Sequence, residues 1–142
     1  DALGVPTIRA ESLTDAARAQ GYVHALDRYF QMDMARRYAA GRLAEVTGTI
    51  GVAYDRQMRP FRLEHAAGAV FERLPAGHRA LIEAYTEGVN AALESAPGPP
   101  PEYGLLWAKP EPWRERDTLL VMYSMYHSLS MGVRFERSRA VM

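Results

Sequence analysis

The stretch from Leu13 to Ala39 constrains this chain more than any other, because it contains no proline and a single glycine, Gly21. Ser12 precedes the stretch and Asp15 lies three residues later, a pattern close to a helix capping box. The sequence therefore predicts a long helix over 12–40, either kinked at Gly21 or divided there into two abutting helices.

Apolar side chains lie on most sides of this predicted helix. They are Tyr22, Val23, Ala25, Leu26, Tyr29, Phe30, Met32, Met34, Ala35 and Tyr38. Such a helix is expected to be buried on most sides. Unpaired burial of a charge costs roughly several kcal/mol, so Asp33 is expected to pair with Arg36 or Arg37 one turn away. A lone domain of 142 residues arranges such burial with difficulty, which favours a larger assembly.

Shorter segments surround this helix. Residues 1–10 are predicted to be extended, with strand-favouring residues beside a proline. A short helix is predicted to end at Gly48. Residues 49–59 show no clear period and are predicted to be a connection, whereas residues 60–74 are weakly helical.

The second half of the chain is predicted to hold two further helices. Residues 75–94 begin with proline and repeat apolar residues at helical spacing. A proline-rich connection over 95–113 leads to a last helix over 117–131, capped by Asp117. With no internal repeat, 1–142 is interpreted as a single segment.

The composition excludes several classes of protein. Seventeen basic residues balance seventeen acidic ones, so no net field favours nucleic acid or an acidic membrane surface. Cysteine is absent, which excludes disulfides, thiol catalysis and zinc held by cysteine. No apolar run approaches the roughly 20 residues of a membrane span. The chain begins at Asp1 with neither an initiator Met nor a signal peptide, as expected of a processed or trimmed product.

No self-sufficient active site is visible in the sequence. None of the histidines (His24, His65, His78 and His127) forms an i, i+4 pair with a third metal ligand nearby. The G-x-S-x-G motif and phosphate-binding glycine loops are absent. His24 and Asp27 lie one helical turn apart, but the local sequence offers no serine to complete a catalytic triad.

The last predicted helix carries the residues most suggestive of binding. Residues 119–131 are nearly all apolar or small, so this segment is expected to be buried on all sides. Tyr123, Tyr126, His127 and Ser130 share one helical face. This face suits the wall of a pocket for an apolar ligand with one polar end. It equally suits a core helix whose hydroxyl groups bond to carbonyls one turn back.

Glu136 follows that helix, with Arg134, Arg137 and Arg139 around it. A surface carboxylate in this setting pairs with the arginines. Alternatively, Glu136 contributes to a calcium site, which needs six or more oxygens and therefore oxygens from elsewhere.

Several segments of the chain together resemble one family. GYVHALDR, QMD, RR and GRLAEVTG, within residues 21–48, are similar in order and spacing to the small subunit of the penicillin acylase (penicillin amidase) family. YTEGVNAAL (85–93) and PEPWRERD (110–117) resemble the same family. The similarity extends from Asp1 to Asp117 and is weaker from Leu119 onward.

This resemblance implies a fold for the chain and places the catalytic groups on a second chain. The chain would be a mainly α small subunit with a short N-terminal strand. It would complete the αββα sandwich of an N-terminal-nucleophile hydrolase together with a separate, larger β chain from the same self-cleaving precursor. The serine nucleophile and its base, the serine's own α-amino group, would belong to the β chain. No catalytic residue is then expected on this chain.

The resemblance also assigns roles to particular residues. The last helix would form part of an acyl-binding pocket through Tyr126, Leu129, Ser130 and Met131. Glu136 would join β-chain oxygens around a structural calcium ion. The obligate heterodimer would be periplasmic or secreted.

The expected activity is removal of the N-acyl side chain from penicillins or related amides. An acylase for N-acyl-homoserine lactones or lipopeptides is the alternative within the family. A helical interaction domain without enzymatic activity is the alternative from a different class.

Overall fold

The computed structural model describes residues 3–130 and Arg139, and these residues form helices joined by turns, with no β-strand among them. The α-helices are α1 (Leu13–Ala40), α2 (Ala44–Thr47), α3 (Val52–Met58), α4 (Leu63–Arg73), α5 (Ala76–Ser95), α6 (Pro101–Leu105) and α7 (Glu115–Ser130). Short 3₁₀ turns cover Gly48–Gly51 and Arg59–Phe61. Within the described residues, no helix has both the length and the apolar character of a membrane span.

Helix α1 is the long helix that the sequence predicts. Its start is capped as expected, because the Ser12 hydroxyl accepts a hydrogen bond from the Asp15 amide at 3.1 Å. Gly41 ends the helix in the left-handed conformation, with φ of 69°. The kink, however, lies at Arg28, whose φ and ψ are −150° and 36°. The prediction of a kink or break at Gly21 is therefore wrong.

Gly21 instead allows α1 and α5 to touch through their backbones. A Cβ atom on Gly21 would lie 2.2 Å from the carbonyl oxygen of Tyr85 in α5. On the other helix, a Cβ atom on Gly88 would lie 1.9 Å from the carbonyl oxygen of Arg18. Both separations are shorter than any real contact, so side chains at these two positions would force the helices apart.

Two apolar clusters hold the helices together. The first joins α1 and α5 to Tyr103 of α6 and to Trp113, with Tyr29 and Val89 also buried in it. The second lies between α1, α4 and α7 and contains Ala39, Ala67, Leu119 and Leu120. Helix α7 is buried where Leu119 and Leu120 enter the second cluster and where Val121 packs against the first, and its other side is exposed. In this chain by itself, the expectation of burial on all sides of α7 is wrong.

Three local predictions also need correction. Within the extended segment predicted over 1–10, the described residues 3–10 contain no strand. Most of 49–59 is helical instead of a plain connection. The buried Asp55 carboxylate anchors this segment to the start of α2, where it accepts the amides of Leu43 and Ala44 at 2.7 and 3.0 Å. The proline-rich segment 95–113 contains the short helix α6, whose Tyr103 is fully buried.

The contact between α1 and α5 can be tested by adding one methyl group. Gly21→Ala is expected to lower the free energy of unfolding by about 1–3 kcal/mol, because the new Cβ collides with backbone that cannot rotate away. Gly68→Ala in α4 is the control. A Cβ there meets nothing within 4 Å, so a gain of up to about 1 kcal/mol is expected. Urea unfolding of the purified protein measures both, and equal effects would contradict the proposed close contact.

Candidate functional site

Three of the predicted pocket residues lie in the last two turns of α7. Tyr126 and Leu129 are 72% and 78% exposed. The Ser130 side chain is also exposed, and its hydroxyl donates to the carbonyl of Tyr126 at 2.8 Å. Met131 and Glu136 lie outside the described residues. The structure thus brings Tyr126, Leu129 and Ser130 onto one end of an exposed helix surface.

This surface belongs to a longer apolar row, which we call the α7 stripe. It consists of Met122, Met125, Tyr126 and Leu129, all more than half exposed. Their spacing of i, i+3, i+4 and i+7 places them on one side of the helix. An apolar row of this kind on a helix surface is typical of a partner interface or of a ligand-binding wall.

The serine hydroxyls of α7 are already engaged within the helix. Ser124 donates to the carbonyl of Val121 at 2.7 Å, and Ser128 donates to the carbonyl of Ser124 at 3.0 Å. Together with Ser130, they show the local backbone bonding expected for serine in a helix interior. None of these three serines is placed beside a general base in the described part of the chain.

His127, which lies between the pocket residues Tyr126 and Ser130, faces the interior. Its Nδ1 atom lies 3.0 Å from the hydroxyl of Tyr38 in α1. The imidazole also makes edge-to-face contacts with the rings of Tyr38 and Phe61, at centroid distances of 5.8 and 5.7 Å. Sequence reasoning missed this pairing because Tyr38 and His127 are far apart in the chain and no local pattern links them.

Among the described residues, the most buried polar group is centred on Asp33, whose side chain is inaccessible to solvent. The carboxylate accepts from Nε of Arg36 at 2.7 Å and from Nε of Arg37 at 3.0 Å. The predicted pairing of Asp33 is confirmed, and it involves both arginines. The Tyr103 hydroxyl, from α6, donates to the same carboxylate at 2.6 Å.

Arg36 connects this carboxylate to the segment that precedes α7. Its guanidinium pairs with Asp117 and donates to the carbonyl oxygens of Glu111 and Pro112 at 2.8 and 2.9 Å. The guanidinium carbon also lies 5.0 Å from the centre of the Trp113 ring. The PEPW segment (110–113) therefore packs over the guanidinium group of Arg36.

A second branch of the network runs through Arg37. This arginine pairs with Glu45 and lies 3.3 Å from the carboxylate of Glu111, which Arg42 also contacts at 3.0 Å. Burial alone would raise the pKa of Glu111. The charge of Arg37 and the hydrogen bond from Arg42 outweigh burial and hold this pKa below its usual value. Glu111 is therefore charged at neutral pH.

The two buried tyrosines of the network act as hydrogen-bond donors. Burial raises the pKa of Tyr103, and the hydrogen bond to Asp33 raises this pKa further. Burial likewise raises the pKa of Tyr29, whose hydroxyl donates to the carbonyl of Glu111. Both hydroxyls consequently stay protonated at neutral pH.

The bonding of this network is typical of a structural ion-pair network. Guanidinium and hydroxyl donors saturate the buried Asp33 carboxylate at its centre. Throughout residues 3–130 and at Arg139, no group of three or more His, Asp or Glu side chains is arranged to hold a metal ion. The candidate functional site is therefore the α7 stripe with Ser130, held in place by the packing of α7 on α1 and α4.

Comparison with known proteins places this architecture among acylases. All residues 1–142 match the family model described as penicillin amidase. Over 122 residues, 86% of the chain, it is 44% identical to penicillin acylase 2 proenzyme of Pseudomonas sp. strain SE83. Over 137 residues, 94% of the chain, it is 36% identical to acyl-homoserine lactone acylase QuiP of Pseudomonas fluorescens strain Pf0-1. The chain spans 16% of the length of each of these curated relatives.

A solved structure is similar in fold as well as in sequence. It is the thermostable penicillin G acylase from Alcaligenes faecalis, with a TM-score of 0.79 and 32% sequence identity. The similarity covers 96% of this chain and 72% of the chain in that structure. The helical arrangement described above therefore corresponds to most of one chain of that acylase.

The buried network can be tested by removing the charge at its centre. Asp33→Asn leaves Arg36 and Arg37 without their shared carboxylate in a site that excludes water, so a loss of about 3–5 kcal/mol in unfolding free energy is expected. Asp27→Asn, in an exposed pair with Arg28, is the matched control and should cost about 0–1 kcal/mol. Thermal and urea unfolding measure the difference. Similar losses in the two variants would contradict a central role for Asp33.

Proposed function

The chain belongs to the penicillin amidase family, and we propose that it is the α-chain part of an amide hydrolase that removes the N-acyl side chain of penicillins or related amides. The observation that carries this proposal is the match of all 142 residues to the family model. The identity of 44% to a penicillin acylase proenzyme supports the same assignment.

The catalytic groups of this hydrolase are supplied by a larger β chain. The relatives are about six times as long as the matched segment, and one of them is named a proenzyme. The serine hydroxyls of α7 donate to backbone carbonyls of their own helix, which supports a nucleophile located elsewhere. An N-terminal serine of the β chain attacks the amide carbonyl, and its own α-amino group, with a reference pKa of about 7.7–8.0, accepts the hydroxyl proton. The leaving amine takes that proton, and water then releases the acyl group.

The β chain covers apolar surface that this chain leaves exposed. Trp107 is 98% exposed, and Ile50 and Leu13 are each 77% exposed, far from what large apolar side chains favour in water. Burial of these residues and of part of the α7 stripe would form an obligate, mostly apolar interface. The N-terminal segment would find its strand partner in the αββα sandwich of the complete enzyme. We place this heterodimer in the periplasm or outside the cell, following the family resemblance.

The acyl side chain binds against the last turns of α7. Tyr126, Leu129, Ser130 and Met131 form part of the pocket wall. The exposure of Tyr126 and Leu129 supports this role, because a pocket shared with a β chain requires unfilled apolar surface on the α chain. The mixture of an aromatic ring, an aliphatic side chain and a hydroxyl suits an acyl group that is mainly apolar.

Glu136 contributes one ligand to a structural calcium ion shared with the β chain. A carboxylate is the type of oxygen donor that calcium prefers, and the remaining ligands come from outside the described residues. Calcium at this position would tie the end of the α chain to its partner and take no part in amide hydrolysis.

A quorum-signal acylase is the second candidate function. The 36% identity to QuiP, over 94% of the chain, favours it. Lipopeptide acylase activity and a non-enzymatic interaction domain have no comparable support, and they remain outcomes of the tests below.

An acyl-length series on the complete mature enzyme tests the function. We expect hydrolysis of phenylacetyl, hexanoyl or dodecanoyl amides. Each methylene group that fits the pocket should stabilise the transition state by about 0.8 kcal/mol, which raises kcat/KM about fourfold, until the pocket ends. A preference for phenylacetyl amides supports a penicillin acylase, and one for longer linear chains supports a quorum-signal or lipopeptide acylase.

Intact-mass analysis should also find a co-purifying chain that begins with Ser. An inert chain without that partner would support the interaction domain.

The pocket face of α7 is tested by enlarging one serine at a time. Ser130→Phe should shorten the preferred acyl chain, because the phenyl ring occupies space that the acyl group needs. Ser128→Phe is the matched control. It lies two positions earlier, about 200° around the helix, and should leave acyl preference unchanged. Equal effects of Ser130→Phe and Ser128→Phe on the hexanoyl-to-dodecanoyl ratio of kcat/KM would contradict a place for Ser130 in the pocket wall.

A further inference from the structure

One polar contact links the C-terminal half of α7 to the rest of the described structure. Across residues 124–130, the serine hydroxyls bond only within the helix, whereas His127 forms a hydrogen bond to Tyr38 of α1. The neighbouring stripe residues Met125, Tyr126 and Leu129 are exposed. His127 is therefore the polar anchor of this half-helix, in addition to the packing of Leu120 and Tyr123 earlier in α7.

The rings of Tyr38 and Phe61 both pack against the imidazole of His127 and restrain its orientation. The imidazole of His127 meets the ring of Tyr38 edge to face, with an interplanar angle of 61°, and it meets the ring of Phe61 at the same angle. The hydroxyl of Tyr38 lies 3.0 Å from Nδ1. A hydrogen bond together with two edge-to-face contacts restrains both the distance and the orientation of the imidazole.

Helix geometry transmits this restraint to the pocket face. Successive side chains turn by about 100°, so the inward direction of His127 determines the directions of Tyr126, Leu129 and Ser130. A rotation of α7 that released His127 would move all three side chains by the same angle.

We propose that the His127–Tyr38 contact is a positioning device that fixes the rotation of α7 and thereby sets the acyl-chain length that the enzyme prefers. This inference rests on the proposed acylase function. It assigns selectivity to Tyr38 and to His127, whose side chain bonds to α1 and is not part of the proposed pocket wall. Tyr38 and His127 are positioning residues, because they act through Tyr126, Leu129 and Ser130.

The test uses substitutions that remove the hydrogen bond and keep an aromatic ring at each position. Tyr38→Phe deletes one hydroxyl, and His127→Phe keeps an aromatic ring beside Phe61. In the complete mature enzyme, each should change the hexanoyl-to-dodecanoyl ratio of kcat/KM by about three- to tenfold, the range expected for one lost hydrogen bond. The double variant should change this ratio no more than either single variant, since both remove the same bond.

A second histidine–tyrosine pair supplies the control. His24 Nδ1 lies 3.0 Å from the hydroxyl of Tyr85, and their rings also meet edge to face, at 5.8 Å. This pair joins α1 to α5 by a hydrogen bond that does not involve α7, although both side chains line a cavity with Val121 and Met122 in the first half of α7. Tyr85→Phe therefore removes the same chemical group without releasing α7, and the acyl-length ratio should stay within about twofold of the wild type.

Amide hydrogen exchange separates the possible failures. Faster exchange in the last turns of α7 in Tyr38→Phe, with no such change in Tyr85→Phe, is expected. If exchange rises but the acyl-length ratio stays constant, the contact has only a structural role and the inference is overturned. Equal shifts of the ratio in Tyr38→Phe and Tyr85→Phe would also overturn it. Failure of the wild-type enzyme to hydrolyse any acyl amide would instead refute the proposed function, and the inference with it.

Discussion

The buried carboxylate of Asp33 is the interaction on which the rest of this structure depends. A charge without solvent access is tolerable only when its partners surround it, and Arg36, Arg37 and Tyr103 do so. Through these partners, α1 is joined to α6 and to the segment before α7. The network therefore determines where α7 begins, and consequently where its exposed apolar stripe lies.

Four of the six motifs that carry the family resemblance supply residues to this network. QMD supplies Asp33, RR supplies Arg36 and Arg37, and PEPWRERD supplies both the carbonyl groups that accept from Arg36 and the carboxylates that pair with it and with Arg37. GRLAEVTG adds a further acidic partner at Glu45. Much of the sequence that carries the family resemblance thus supplies the partners of buried charges. The residues proposed to contact substrate lie where the resemblance is weaker.

Sequence reasoning succeeded where the determining interactions are local. The cap at Ser12 and the pairing of Asp33 involve residues three or four positions apart, which any helical pattern brings together. It failed at Gly21, because the role of that glycine depends on a helix that follows some 60 residues later. For the same reason, Tyr103 and the pairing of Tyr38 with His127 could not be predicted: their partners are distant in the chain and carry no shared spacing.

The number of acceptors around Arg36 has a consequence for which side chains this position tolerates. Its guanidinium serves two carboxylates, two main-chain carbonyls and the Tyr29 hydroxyl from a single plane. A lysine ammonium carries the same charge but offers only three protons from one point. Some of these buried acceptor oxygens would then lack a hydrogen-bond donor. The site therefore requires the planar set of donors of a guanidinium group more than it requires a positive charge.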